Sequence, residues 1–365
     1  MTFLLLGVSA FVEWGKANFL PVSIFFDSLI LLSLLIRVPK IQRQIFFPFL
    51  MFSLYFLISF IYAVVYKADH LLDFLLSFKV IVYFIIICFS VDKRMGQEKA
   101  FVYFFKMVLA FFFLKYSLSV LLKLNMRPLV FRENNFELLF FVLLFYLKYI
   151  LIGKVKNVEW LLVTVILVLS LSRSALPLYF IVTSAIVFER VSFKKVLIAI
   201  PFVTVLAGIF IMILLNRPGG GGLENIDRIV FMQVYINEAL NMPFWNFLFG
   251  AERISPLSPQ ACERLSFYKE LFSYNNDGTC YSVILHSFVL RALYDHGLIL
   301  FVGILYITYY MLRVAKYSKK ESFVVTLVVL LNGLSVSSFN SYFFPLSMIL
   351  FLGFAHLRKE EKICR

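Results

Sequence analysis

An all-α polytopic membrane protein is the fold class this sequence predicts, and three observations predict it. Hydrophobic residues make up 62% of the 365 residues and charged ones only 15%, against about 45 to 50% and about 25% in an ordinary soluble domain. Mean hydropathy is +0.90. Several separate stretches reach the roughly 20 apolar residues that cross a hydrocarbon core of about 30 Å. The whole of 1–365 reads as a single integral membrane domain.

In chain order, apolar runs separated by polar or basic breaks predict helical spans at 2–14, 18–36, 46–66, 71–91, 101–123, 136–152, 158–172, 174–189, 195–215, 287–312, 322–338 and 341–356. That is about twelve helices of spanning character. The first is short with no basic residue before it, a poor match to a cleavable signal peptide. The run from Glu159 to Glu189 exceeds the length of one span and is interrupted by "SLSRSALP", so it reads as two helices meeting at a turn. Four consecutive glycines, Gly219 to Gly222, follow the ninth span. With no lysine and no preceding strand they lack the features of a nucleotide phosphate loop, and they read as a hinge that lets the chain leave the bilayer.

A net charge of +14 in so apolar a chain is explained by orientation and anionic headgroups, not by nucleic acid. Lys and Arg fall in alternate loops: Arg37, Lys40 and Arg43; Lys93, Arg94 and Lys99; Lys154 and Lys156; Arg190, Lys194 and Lys195; Arg313, Lys316, Lys319 and Lys320. The tail adds Arg358, Lys359, Lys362 and Arg365. Because basic loops favour the cytoplasm, both termini are expected there. Residues 216–285 then form one large outer loop between the ninth and tenth spans, carrying short helices. Cys262 and Cys280 both fall in it, where an oxidising compartment permits a disulfide worth about 3 kcal/mol. The alternative is two unpaired thiols.

Charges that disobey the orientation rule carry more information. Lys123, Arg127, Arg132 and Arg173 fall on the outer side. Lys79 and Lys115 lie within spans, each about eight residues from the outer end and so roughly 12 Å deep. A charge in a span costs about 2.5 to 3.5 kcal/mol and by default marks a pathway or site, although lysine can also snorkel to the interface. With few acids nearby, an anionic ligand such as a membrane-resident phosphate or pyrophosphate lipid accounts for the cluster, and Lys79 and Lys115 could share a cavity for it.

Soluble-enzyme signatures are missing. There is no GxxxxGK[ST], no CxxC and no HExxH, and the four histidines argue against a zinc site. Asp277 in "SYNND" stands as a single acid, weak ground for a divalent cation. The polar investment sits in three places: an amphipathic stretch from Arg228 to about Met242 leading into "PFWNFLFG"; His286, opening the re-entry into the membrane, with Arg291 following; and Arg173 in its turn. All three fall near one plane.

These residues resemble the bacterial O-antigen polymerase family, within the superfamily it shares with O-antigen ligases. The resemblance is carried by "LSRSAL" at 171–176, by Arg228, Pro243 and Gly250 in order through the loop, and by "HSFVLRALYDHGLI" at 286–299. It departs from the family at Ser287, where Asn is frequent, and in a Ser-Arg-Ser turn without the glycine often found after it. The resemblance implies a C-type glycosyltransferase-like fold in a bacterial inner membrane. It also implies transfer of a glycan from undecaprenyl pyrophosphate to a sugar hydroxyl, the repeat unit being the substrate. Negative charge developing on the departing pyrophosphate calls for fixed guanidiniums: Arg173 and Arg228 first, Arg217, Arg291, Arg127 and Arg132 next. His286 would take the hydroxyl proton, with helix capping as its structural alternative; His296, Asp295 and Glu252 stand in reserve, and His70 and His356 are remote. No cofactor or metal is implied. Expected partners are the lipid-linked oligosaccharide, membrane lipids, a chain-length regulator and a flippase. Polymerase is preferred to ligase because ligases are usually longer and this loop is modest. A transporter of lipid-linked oligosaccharide is the reading from a different class.

Overall fold

The computed structural model describes residues 2–12, 20–35, 41–91, 93–123, 128–131, 133–188 and 227–358. Among these every regular element is helical. In order they are α1 (Thr2–Ser9), α2 (Val22–Leu35), α3 (Arg43–Phe60), α4 (Leu71–Cys88), α5 (Glu98–Leu121), α6 (Asn134–Ile152), α7 (Asn157–Leu169) and α8 (Ala175–Val187). After a gap in the described residues come α9 (Asp227–Asn241), α10 (Phe244–Phe249), α11 (Pro259–Arg264), α12 (Phe288–Val314), α13 (Lys319–Ser335) and α14 (Phe343–Phe354). Each expected apolar segment carries a helix except 195–215, which lies outside the described residues, as do Gly219 to Gly222. Helices long and apolar enough to cross a bilayer are Arg43–Tyr66, Leu71–Cys88, Glu98–Leu121, Asn134–Ile152 and Phe288–Val314; α2, α7, α8 and α14 are apolar but shorter. The chain is a helical protein of membrane character.

Burial sorts the helices. The apolar window of α6 is 72% buried inside the molecule, that of α3 with its extension only 17%. So α6 is the central post, and α3 turns Phe46, Phe47, Leu50, Leu54 and Ile58 outward, toward lipid in a membrane. Since lipid is as apolar as the side chains, close packing and not water exclusion holds such helices together. Phenylalanines supply that packing where α1, α2, α6 and α14 meet. Phe3 lies 4.8 Å from Phe26 and 5.4 Å from Phe140 between ring centroids, and Phe26 lies 5.5 Å from Phe343.

Local chemistry explains several irregularities. Pro48 inside α3 cannot donate to the Gln44 carbonyl, and Tyr310 of α12 offers its hydroxyl there instead at 3.4 Å. α3 runs on into a π turn, Ile61–Tyr66, closed by Lys67 N to Tyr62 O at 3.0 Å. Wide turns of this kind re-aim side chains and recur at functional sites; this one aims Tyr62 and Lys67 at Glu252 of the loop. Glu137 in α6 is buried yet satisfied, accepting from Val130 N (3.0 Å), Phe131 N (2.8 Å) and Tyr116 Oη (3.0 Å).

The scarcity of acidic partners expected for the membrane lysines is corrected at Lys79. Its ammonium lies 2.9 Å from Asp27 of α2, which also accepts from Tyr83 at 2.6 Å. Lys115 is buried and donates to the Ala10 carbonyl at the end of α1, with Phe11 beneath it. The two lysines therefore bond to different parts of the chain, each neutralised or satisfied by its own partner, which is the cheap solution to burying a cation. Lys148 and Glu159 make a further buried ion pair, between α6 and α7.

Cys262 and Cys280 are bonded to each other, with Cα atoms 5.6 Å apart, while Cys88 is a buried free thiol. Reducing the bridge is expected to lower stability by about 3 kcal/mol. Thermal unfolding of the purified protein with and without a phosphine reductant measures it, and coincident curves would argue that the bridge holds nothing.

Candidate functional site

Residues 227–285 have a small core of their own, built on Phe231, Val234, Leu257, Leu265, Cys280 and Leu285. Inside it Glu238 accepts from Ser258 Oγ at 2.5 Å, and Leu257 N donates to Cys280 O at 2.9 Å. The unit is fastened to the helices by charge and backbone. Asp73 in the first turn of α4 accepts from Ser273 Oγ (2.9 Å) and Tyr274 N (3.2 Å), and His70, which caps that helix, stacks on Tyr274. Ala251 N donates to Tyr294 O at 2.7 Å, and Tyr294 Oη returns a bond to Pro256 O at 2.9 Å.

The tightest approach is between two glycines. Gly297 interrupts α12 with φ +74, and Gly250, the C-cap of α10, has φ +89. A Cβ on Gly297 would stand 2.3 Å from Gly250 N, and one on Gly250 would stand 2.4 Å from Asp295 O. Both positions need positive φ and the absence of a side chain, so only glycine fits. The "FLFG" end of α10 thereby seats directly on the break in α12.

His286 is half-buried at the mouth of this arrangement. The edges of Tyr268 (4.9 Å) and Phe231 (5.5 Å) frame its ring. Helix capping is done by the next residue: Ser287 accepts from Leu290 N at 3.5 Å while donating to Gly333 O at 3.1 Å. The His286 carbonyl accepts from Ser337 Oγ at 3.0 Å. Phe231 also ties this ring to Arg228, because residues three apart lie on one face of α9; the Arg228 side chain is exposed.

The Ser-Arg-Ser turn is joined to the same rim. Ser172 and Ser174 both donate to Asn135 Oδ1, at 3.0 and 2.9 Å, and Ser172 accepts from Ala175 N at 3.3 Å, bracing the start of α8. Leu171, just before the turn, takes the left-handed conformation (φ 48). Asn332 donates to Asn135 O at 3.4 Å, and its neighbour Gly333 receives Ser287. The serines flanking the half-buried Arg173 are thus linked, by hydrogen bonds through Asn135 to Asn332 and by the backbone from there to Gly333, to the residue after His286.

Arg291 is buried, with Nη1 on Ser337 Oγ (3.2 Å) and Nη2 on Leu76 O (3.0 Å) and its Nε without a hydrogen-bond partner. It braces α4 against the α13–α14 connection. Arg127, Arg132 and Arg217 lie outside the described residues. Lys79 and Lys115 have the partners given above and converge on no common group.

A second polar set joins the reserve residues His296, Asp295 and Glu252 to partners that the sequence did not indicate. Tyr55 Oη lies 2.9 Å from His296 Nδ1, and Arg253 stacks over the Tyr55 ring at 4.8 Å while its Nε donates to Ser59 Oγ at 3.0 Å. Ser282 donates to Asp295 at 2.5 Å. Glu252 accepts from Tyr62 and pairs with Lys67 at 3.7 Å. The sequence signal was present in "YDHG", a polar break within an apolar run, but its partners come from α3. At the foot of the loop the Tyr281 hydroxyl is pushed up to about 12, first by burial and then by the charges of Asp69 and Asp73. Burial likewise raises Asp69, against the opposing pull of Lys67. Among the described residues no three His, Cys, Asp or Glu side chains are grouped as metal ligands. Comparison of the chain with protein-family models, with curated proteins and with solved structures finds no match.

Proposed function

We propose that the protein is a membrane glycosyltransferase that extends a lipid-pyrophosphate-linked oligosaccharide, the O-antigen polymerase reading. The observation that carries it is the shared rim just described. His286 is framed by the helix that bears Arg228 and is linked through Ser287, Gly333, Asn332 and Asn135 to the turn that bears Arg173.

The chemistry needs those groups. The acceptor hydroxyl oxygen attacks the anomeric carbon of the donor while the bond from that carbon to the pyrophosphate oxygen breaks, and the electron pair leaves with the pyrophosphate. The hydroxyl proton passes to the imidazole of His286 acting as general base. Guanidiniums of Arg173 and Arg228 stabilise the charge that grows on the leaving group, in a site where water is thinned by protein and lipid. Exposed aromatic side chains on α10, Phe244, Trp245 and Phe249, offer flat faces of the kind sugars stack on.

Purified protein in liposomes, given lipid-linked repeat units, is expected to lengthen them with no second compartment present. On this reading arginines supply the charge neutralisation that a divalent ion performs elsewhere, so turnover is expected to survive EDTA; loss on chelation with rescue by magnesium or manganese would sink this mechanism. A knockout separates polymerase from ligase: a single repeat unit on the core sugar follows loss of a polymerase, bare core with polymer held on the carrier lipid follows loss of a ligase. Transport is the second reading, favoured by the break at Gly297, because discontinuous helices line transporter sites. It requires movement of the oligosaccharide between leaflets without lengthening.

A further inference from the structure

At the end of the bundle remote from the loop, a cavity of about 410 Å³ opens between the start of α3 and the ends of α4, α12 and α14. Arg43 at the cavity is separated from Ser59, which the loop touches, by sixteen residues of helix, roughly 24 Å. Arg43, Lys93, Lys316 and His356 line it together with Gln42 and Gln44, and among the described residues no Asp or Glu does. We infer that this cavity is a binding site for a phosphate-bearing anion, either the headgroup of an anionic phospholipid or a free phosphate.

The electrostatics support one sign. The ion pairs among the described residues involve neither Arg43 nor Lys316. Glu321 in the first turn of α13 is paired with Arg358 at 2.8 Å, and Arg358 holds the Lys316 carbonyl with its other arm at 2.9 Å. Helix α3 points its N-terminus at the cavity; its N-cap Gln42 makes no side-chain bond to the first turn and its carbonyl accepts from Ile45 N at 2.9 Å, and the helix dipole at that end favours an anion. The helix C-termini around the same space would oppose this if their carbonyls were bare. They are occupied: Met311, Leu312 and Arg313 accept backbone N–H groups, and Gly353 accepts from Met95 N at 2.9 Å and from His356 Nδ1 at 2.9 Å. The volume lies within the range of roughly 300 to 1,000 Å³ typical of small-ligand sites, and basic pockets between membrane helices are where anionic headgroups lodge.

The test uses the full chain, first in nanodiscs of phosphatidylglycerol or phosphatidylcholine and then delipidated in detergent with inorganic phosphate, read by native mass spectrometry and by titration. If the occupant is a headgroup, the wild type retains phosphatidylglycerol over phosphatidylcholine by about tenfold or more, and the variant Arg43→Gln with Lys316→Gln loses that preference. If it is a free anion, inorganic phosphate binds the delipidated wild type, the same variant binds it at least tenfold more weakly, and no lipid preference is seen. Both side chains are exposed and outside any ion pair in the described residues, so the variant is expected to melt with the wild type. Gln42→Glu serves as a second variant: an acid there suits a helix N-terminus and so spares the fold, yet repels the anion. Binding of neither probe, or equal binding by wild type and variants, overturns the proposal, whatever transferase activity the protein shows.

Discussion

Gly297→Ala is expected to unseat the outer loop and to lower stability by about 3 kcal/mol or more. Two costs add. The residue would sit at φ +74, a strained conformation for any residue with a Cβ, and that Cβ would lie 2.3 Å from Gly250 N and 2.4 Å from Leu248 O. Those neighbours are backbone, not the ends of flexible side chains, so relief requires moving α10 or straightening α12. Thermal unfolding in detergent measures the loss, and limited proteolysis between 227 and 285 reports whether the loop has come away. Gly250→Ala meets the same contact from the other side, against Asp295 O, so the double substitution should cost less than the sum of the two. An unchanged melting curve with the loop still protected would mean that the close approach is not what holds the loop down.

Loss of transfer activity by about 10²- to 10³-fold is expected on replacing Arg173 or Arg228 with alanine, the usual effect of removing one group that stabilises transition-state charge. The informative contrast is with stability. Arg228 is exposed, so its variant should lose far more turnover than stability. Arg291→Ala behaves differently: it strips partners from Ser337 and from the Leu76 carbonyl inside the bundle, and its melting temperature should fall together with activity. His286→Ala should lose about 10²- to 10⁴-fold as a proton acceptor is removed. Polymer length on a gel, with expression checked, reads these variants out, and full-length polymer from both the Arg173 and the Arg228 variants would refute the site.

What the sequence could show depended on the range of the interaction. Helices α4, α5 and α6 begin within about three residues of where uninterrupted apolar runs place them, because length and hydropathy are properties of consecutive residues. The split of 159–189 was legible for the same reason, "SLSRSALP" being a local break. The helix from Arg228 declared itself by periodicity. Lys79 did not reveal its partner, since Asp27 lies 52 residues away on α2, and no local pattern relates the two. Lys115 bonds a backbone carbonyl, an acceptor that every residue carries. The Tyr55 and His296 pairing spans 241 positions, and the stacking of Arg253 on Tyr55 joins the loop to another helix. Polar residues in a membrane chain announce that a partner exists; only the fold names it.

The polar first third of α12 bears on how the molecule is made. Arg291 and His296 are buried there and Asp295 is half-buried, and each would burden a lone helix entering hydrocarbon by a few kcal/mol. Their partners arrive at different times during synthesis. Leu76 and Tyr55 belong to earlier helices and Ser282 to the loop just before, whereas Ser337 is translated some forty residues after Arg291. The segment therefore reaches the bilayer with most of its polar groups already matched by α3, α4 and the loop, and with one guanidinium bond still waiting for the α13–α14 connection. Truncating the chain after α12 should cost that helix one guanidinium bond and leave its integration largely intact, so its entry into the membrane depends more on α3, α4 and the loop than on the last two helices.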